Sequence, residues 1–446
     1  MGIAQVSDED ALYIKKIHDH SLTSAQCYDW LTHLTTKIGG RLAGSDGAEQ
    51  AVEYTASLME GMELDRVELQ PCTVKEWKRN GRANVTIEIA GKAQKLNALA
   101  LGNSIGTPAE GITAEVVEVQ SLDEVEALGR AGIEGKIVFF NRPMDPTHIR
   151  TFHAYGGAVD QRVWGASTAA KYGGLAALVR SMTLRQDDVP HTGTLAYTED
   201  VPQVPGIAIS TNDANMLSQA LEEQSAVRAY MHTACAPGEE KQSYNVIGEI
   251  KGSTYPDEII LVGGHLDSWD VGAGAHDDGA GCVHSLQVLQ TLLDLGYKPK
   301  RTLRCVMFMN EENGLAGATA YAEASNAAGE RHIAALESDA GGFVPRGFSF
   351  DADTSVLKQH YAHVSEWLPL LESYGLYFTT GGSGADINPL KSQKGILIGL
   401  RPDSQRYFDY HHTEIDLIEA VNKRELELGA AAMTSLIYLL DKYGLE

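Results

Sequence analysis

Four short unbroken apolar runs constrain this chain more than any other feature: EIILVGG at 258–264, RTLRCVMFM at 301–309, HIAALES at 332–338 and GILIGL at 395–400. Runs without polar alternation suit strands buried on both faces, as in a parallel sheet covered by helices. Between and after them, residues 279–295, 315–327, 355–374 and 422–443 carry apolar faces at helical spacing. The expected fold class is therefore α/β, an open, mostly parallel sheet with helices on both sides.

Upstream, residues from Asp8 to about Met62 read as helices, with Leu12, Ile14 and Ile17 and then Trp30, Leu31 and Leu34 at helical spacing. The tract KIGGRLAGSDGAEQ interrupts them with four glycines, and its Ser45 and Asp46 suit the cap of a following helix. From Asn97 to Lys241 a second alternation of strand-like and helical segments begins and ends, with strands at GITAEVVEV, GKIVFFN, GLAALVR and PGIAIS. It reads as an inserted α/β domain, dividing the 446 residues into 1–96, 97–241 and 242–446. The insertion is expected to act as a lid, because an open sheet edge has no steric means of excluding internal peptide segments.

In such sheets ligands bind beyond the carboxyl ends of the strands. The first run ends in Gly263-Gly264-His265-Leu266-Asp267, the second in Asn310-Glu311-Glu312-Asn313 and the third in Glu337-Ser338-Asp339. Gly274 to Gly279 supplies the pair Asp277-Asp278, and Tyr410-His411-His412-Thr413 follows the last run. Two histidines, two aspartates and a glutamate from different strand ends are enough nitrogen and oxygen ligands for two divalent ions. Carboxylates gathered at one edge repel one another, and a cation is the natural neutraliser.

Composition narrows the partners. Sixty acidic against 36 basic residues leave a formal charge of -24, which repels nucleic acid. No apolar stretch is long enough to span a bilayer. Five scattered cysteines form neither a disulfide framework nor a thiolate metal site. The start, MGIAQVSDED, lacks a secretory leader, and Gly272-Ala273-Gly274 fails as a dinucleotide fingerprint because Asp277 stands where a third glycine belongs.

The motifs GGHLDSWDVG, HDDGAG, NEENG, ESDAGG and HHT, in this order, resemble those of the dizinc exopeptidases, the family of aminopeptidase Y. LGNSIGTPAEGITAEVVEV, the tripeptide at Pro190–Thr192 and HLDSWDVG resemble a subgroup of that family whose insertion sits in the same place. The resemblance implies a three-layer zinc-exopeptidase fold with a protease-associated-like insertion, and two zinc ions per chain. It assigns His265 and Asp339 to one zinc, Glu312 and His412 to the other, and Asp277 as the bridge. Glu311 becomes the general base, His411 a donor to the developing oxyanion, and the Asp277-Asp278 peptide cis. Residues Ser383, Gly384 and Asp386 match the glycine-rich loop beside the substrate. Asp267, two residues beyond His265, is expected to hold its imidazole through the carboxylate, and Asp416 to support His412 likewise.

The function implied is hydrolysis of dipeptides or short peptides from a chain end, by a carboxypeptidase or dipeptidase, with an aminopeptidase as the alternative on the same centre. A homodimer and a secreted or periplasmic location are further expectations of the resemblance, with the cytoplasm as the alternative location. A metal-free binding module is the reading from another class, and intact ligands speak against it. A serine hydrolase built on Ser383 and His411 is weakened because Ala385 replaces the last glycine of GxSxG.

Overall fold

The computed structural model describes residues 7–89, 91–224 and 226–445. Residues 1–6, on which part of the leader reading rests, lie outside them. The chain divides into two compact units: Met1–Val74 with Lys241–Asp403 and Ile415–Glu446, and Lys75–Glu240 with Ser404–Glu414.

The first unit holds an eight-stranded sheet in the order Arg66–Lys78, Ala236–Ile250, Arg301–Phe308, Tyr255–His265, Arg331–Glu337, Ile396–Pro402, Pro345–Asp351, Tyr377–Thr380. The four apolar runs are its central strands and lie parallel to one another. Successive side chains face opposite ways. Ile260 and Val262 join the larger core with helices Ala280–Asp294 and Lys423–Tyr443, while Leu261 joins the core under helix Ala316–Ala328. Every residue of Arg301–Phe308 is consequently buried: Cys305–Phe308 are apolar, while Arg301 pairs with Glu258 and Arg304 with Glu249 and Glu330.

Ser45 caps Asp46–Glu60 by accepting from the amide of Ala48, as the glycine-rich interruption suggests. All five cysteines are buried and free. No helix among the described residues is long and apolar enough to cross a membrane.

The second unit has its own sheet, in the order Lys92–Leu96, Asn84–Ile89, Arg228–His232, Ile112–Val119, Ile137–Phe140, Ala176–Arg180, Gly206–Ile209, Ala98–Ala100. Its boundaries differ from the expected 97–241. The hairpin Asn84–Leu96 belongs to it, because Asn84–Ile87 pairs antiparallel with Ala229–His232. Residues 404–414 belong to it as well: Thr151 donates to the Ser404 carbonyl at 2.7 Å, and Phe152 stacks on Tyr407 with centroids 5.2 Å apart.

Candidate metal centre

Register brings the chemistry together. Parallel pairing sets His265 opposite Phe308 and Gly263 opposite Glu337, so the three central strands end nearly level. His265 closes its strand, Asn310–Glu312 follow the next, and Asp339 lies two residues beyond Glu337. His265 Nε2 stands 3.3 Å from Asp277 Oδ1 and 3.6 Å from Asp339 Oδ1. One ligand atom each of His265, Asp277 and Glu312 lie within 4.8 Å of one another, as do those of His265, Asp278 and Asp339. The Asp277-Asp278 peptide is cis. Asp278 is already engaged, accepting from the amides of Gly281 at 3.0 Å and His265 at 3.1 Å.

Close packing of this strand end on helix Ala280–Asp294 needs small residues. A Cβ on Gly281 would run into the Ser338 carbonyl, and one on Gly264 would stand 2.9 Å from the Gly281 carbonyl carbon. The glycines of GGH and DDGAG thus let Asp278 reach the amide of His265.

Two carboxylates act on backbone amides. His265 Nδ1 pairs with the Asp267 carbonyl oxygen at 3.0 Å, while the Asp267 carboxylate is 3.8 Å from that nitrogen. That carboxylate accepts instead from the amides of Asn310 at 2.7 Å, Glu311 at 3.0 Å and Glu312 at 3.3 Å. The turn that separates the directions of Glu311 and Glu312 is thereby fastened beneath them. Asp416 likewise accepts from the amides of His276 at 2.8 Å and Asp277 at 3.1 Å, which holds the Asp277 segment. The Asp267 carboxylate thus takes amides in place of the imidazole hydrogen bond expected of it from sequence, because buried amides at irregular turns need acceptors.

Sequence reasoning missed Arg41 as a site residue. Fully buried, it donates to the carbonyls of Leu266 and Ala273, each at 2.5 Å, and of Gly274 at 2.9 Å. It ties the loop between His265 and Asp277 to the N-terminal segment, and only its place in KIGGRLAG hinted at a special backbone. Glu337, also unassigned, accepts from the Ile387 amide at 3.0 Å. It explains Gly384, since a Cβ there would collide with the Glu337 carboxylate. Ser383 and Asp386 are buried in the same loop, and Ser383 Oγ meets no hydrogen-bond partner among the described residues, so no base activates it as a nucleophile.

The electrostatics suit a cation. Burial, and then repulsion from neighbouring carboxylates, pushes Glu312 well above the ordinary carboxyl range. Burial also raises Glu311, to about 8, and Glu337, to about 7, with Asp339 adding to both. Burial works against a charged His265, but Asp277 and Asp339 outweigh it and hold the imidazole well above its usual value. Three raised carboxyls crowded around a charged imidazole are the setting that a divalent metal would relieve, since its charge removes the repulsion and favours the ionised carboxylates.

His411 and His412 lie in the 404–414 segment of the second unit. Their rings stack at 3.5 Å between centroids. The tripeptide singled out at Pro190–Thr192 holds their backbone: His191 Nδ1 meets the His411 carbonyl at 2.8 Å and the Thr192 amide donates to the His412 carbonyl at 3.0 Å. Burial, and then His411 and Arg162, keep the His412 imidazole well below its usual value, the neutral form that a metal ligand requires.

A mostly parallel sheet whose central strands deliver imidazole and carboxylates to one edge defines a zinc metallo-exopeptidase. The profile of peptidase family M28 matches residues 245–437. Carboxypeptidase Q of Bos taurus is 35% identical over 415 residues, covering 93% of this chain and 84% of that protein. The chain belongs to peptidase family M28. A solved peptidase M28 precursor from Shewanella amazonensis SB2B superposes with a TM-score of 0.92 at 33% identity, covering 98% of each chain. A zinc aminopeptidase from Bacillus subtilis shares the fold, with a TM-score of 0.65 at 19% identity over 94% of this chain and 96% of that one.

Proposed function

We propose that this exopeptidase hydrolyses dipeptides and short peptides as a carboxypeptidase or dipeptidase, using two zinc ions. His265 and Asp339 would hold one, Glu312 and His412 the other, with Asp277 shared; the assignment of His412 rests on the sequence motif. The observation that carries the reading is the convergence of His265, Asp277 and Glu312 within 4.8 Å, with Asp339 beside His265. When bound, the zinc pair supplies a Lewis acid for the scissile carbonyl and lowers the pKa of the attacking water.

The chain's own groups do the remainder. Glu311 takes a proton from the attacking water and delivers it to the leaving amine. Its position at the head of the turn is held by the hydrogen bond that its backbone N–H donates to the Asp267 carboxylate. His411 donates to the oxyanion as it develops. The loop at Ser383, Gly384 and Asp386 borders the substrate. Homodimer formation and export to the periplasm or exterior complete the proposal, and light scattering and cell fractionation test them.

The central test is a panel of free, N-blocked and C-blocked dipeptides assayed with and without chelator, on the protein and on Glu311→Gln. Chelator-sensitive cleavage lost in the variant by more than a hundredfold, with zinc still bound, is expected. Cleavage that needs a free amino end but not a free carboxylate would make the enzyme an aminopeptidase. Retention of turnover within tenfold in Glu311→Gln would remove Glu311 as the base.

A further inference from the structure

The glycine-rich loop after strand Tyr377–Thr380 carries little that holds its own shape. Gly381, Gly382 and Gly384 bring wide backbone freedom, and Ala385 adds only a methyl group. Ser383 Oγ and both carboxyl oxygens of Asp386 are buried and meet no hydrogen-bond partner among the described residues, so neither side chain pins the loop. The shape is imposed from outside, at two points. At the first, Ser349 Oγ donates to the Gly382 carbonyl at 2.6 Å, Arg401 donates to the same oxygen, and the Gly381 amide donates to the Phe350 carbonyl at 3.1 Å. At the second, the Ile387 amide donates to Glu337 Oε2 at 3.0 Å, and the Ala385 amide faces the same carboxylate.

Glu337 is an expensive second anchor. It is 1% exposed, and its Oε1 meets no partner among the described residues. Burying such a group is unfavourable, so what it holds must matter. It closes strand Arg331–Glu337, two residues before Asp339, and thereby fastens the loop to the strand end that carries a carboxylate of the candidate metal centre. Gly384 shows how close the fit is. A Cβ there would collide with the Glu337 carboxyl group, although the φ of Gly384 lies outside the left-handed region. Glycine is required at 384 by the carboxylate and not by the turn. On the outer side, a Cβ on Gly381 or Gly382 would meet nothing within 4 Å, so that part of the loop faces open space.

We propose that Glu337 is a positioning residue for peptide binding, clamping the 384–387 backbone so that the loop stands in a fixed place relative to the Asp339 strand end. This rests on the reading of that loop as the border of the substrate. Glu337 is too deeply buried to meet a peptide and acts through the loop, so its removal is read in KM rather than in kcat.

The test compares the zinc-loaded protein with Glu337→Ala, Glu337→Gln, Gly384→Ala and the double variant Glu337→Ala/Gly384→Ala on one dipeptide, with zinc content measured on each. Hydrogen exchange over 381–388 and calorimetry with the same dipeptide on the Glu311→Gln background give readouts independent of turnover. Glu337→Ala should accelerate exchange at the Ile387 amide and raise KM by about tenfold to a hundredfold, the range of a lost hydrogen bond to a charged acceptor. Its kcat should stay within about threefold and its zinc content should not change. Glu337→Gln, which keeps an acceptor oxygen, should restore most of both. Gly384→Ala should raise KM as well, and the double variant should raise it no further than Glu337→Ala alone, because the methyl group then occupies the space the carboxylate left. Faster exchange with an unchanged KM would overturn the proposal, as would unchanged exchange in Glu337→Ala. Loss of zinc together with a fall in kcat would overturn it in favour of a role through Asp339. If Glu337→Ala does not fold, Gly384→Ala decides, and an unaltered KM there overturns the proposal. Absence of chelator-sensitive cleavage of every peptide would refute the metallopeptidase reading instead, and the calorimetric comparison would then decide the role of Glu337: weaker dipeptide binding in Glu337→Ala than in Glu337→Gln supports it, and equal binding overturns it.

Discussion

Removing the Asp267 carboxylate tests how the centre is held. Its two oxygens accept three consecutive amides, from Asn310, Glu311 and Glu312, at 2.7, 3.0 and 3.3 Å. Hydrogen bonds to a charged acceptor contribute about 1.5–3 kcal/mol each, and the longest of the three less. Burial raises the Asp267 carboxyl despite these bonds, so desolvation offsets part of the gain. Asp267→Ala should therefore cost about 3–4 kcal/mol, a large fraction of a typical folding free energy of about 5–15 kcal/mol. Asp267→Asn, which keeps one acceptor oxygen, should cost about 1–2 kcal/mol. The informative assay is hydrogen exchange on the chelated protein, following peptides that cover 309–316, with denaturant unfolding for the total. Exchange at the three amides should accelerate in both variants, more in the alanine. Zinc affinity should fall as well, because Glu312 hangs from the same turn. If exchange in 309–316 were unchanged in Asp267→Ala, or if stability fell by less than about 0.5 kcal/mol, the fastening role would be refuted.

Arg41→Met should cost about 3–5 kcal/mol, because three buried carbonyls lose their donor, and Arg41→Lys should recover little, since an ammonium cannot reproduce the fork. A loss below about 1 kcal/mol in equilibrium unfolding would contradict this. Gly281→Ala should destabilise at the upper end of the about 1–3 kcal/mol range for overpacking and weaken zinc binding, as the helix is pushed from Ser338; a melting temperature within a degree of the parent would exclude that close contact. Burial lowers His18 and His332 to about 4 in the fold, whereas the unfolded chain takes up these protons near the ordinary value of 6.5. Stability should thus fall as pH drops from about 6.5 towards 4, and His18→Phe, which keeps the stack on Tyr374, should flatten that slope; a slope unaltered by the substitution would refute the assignment.

The central sheet was legible because its strands are buried on both faces, so their burial is written as largely apolar runs, and the residues of its candidate site were legible because they stand in short contiguous motifs. His265, Asp277, Glu312 and Asp339 each needed only their own tract and a parallel register. The supports were not legible. Arg41 meets the His265 loop across 227 positions of sequence at Ser268, and Asp416 reaches the His276 amide across 140. Local pattern carries no trace of such pairings, because any carboxylate or guanidinium serves whichever buried backbone group the fold brings to it. The same holds for the second unit. Its inner strands could be read from hydrophobicity, but the exposed hairpin Asn84–Leu96 and the short segment 404–414 join it through cross-strand bonds and aromatic contacts that exist only once the chain is packed. The charge of Arg41 is written in the sequence; that it is fully buried against three backbone carbonyls was decided by tertiary structure alone, because burial and pairing are properties of the packed neighbourhood and not of the residue.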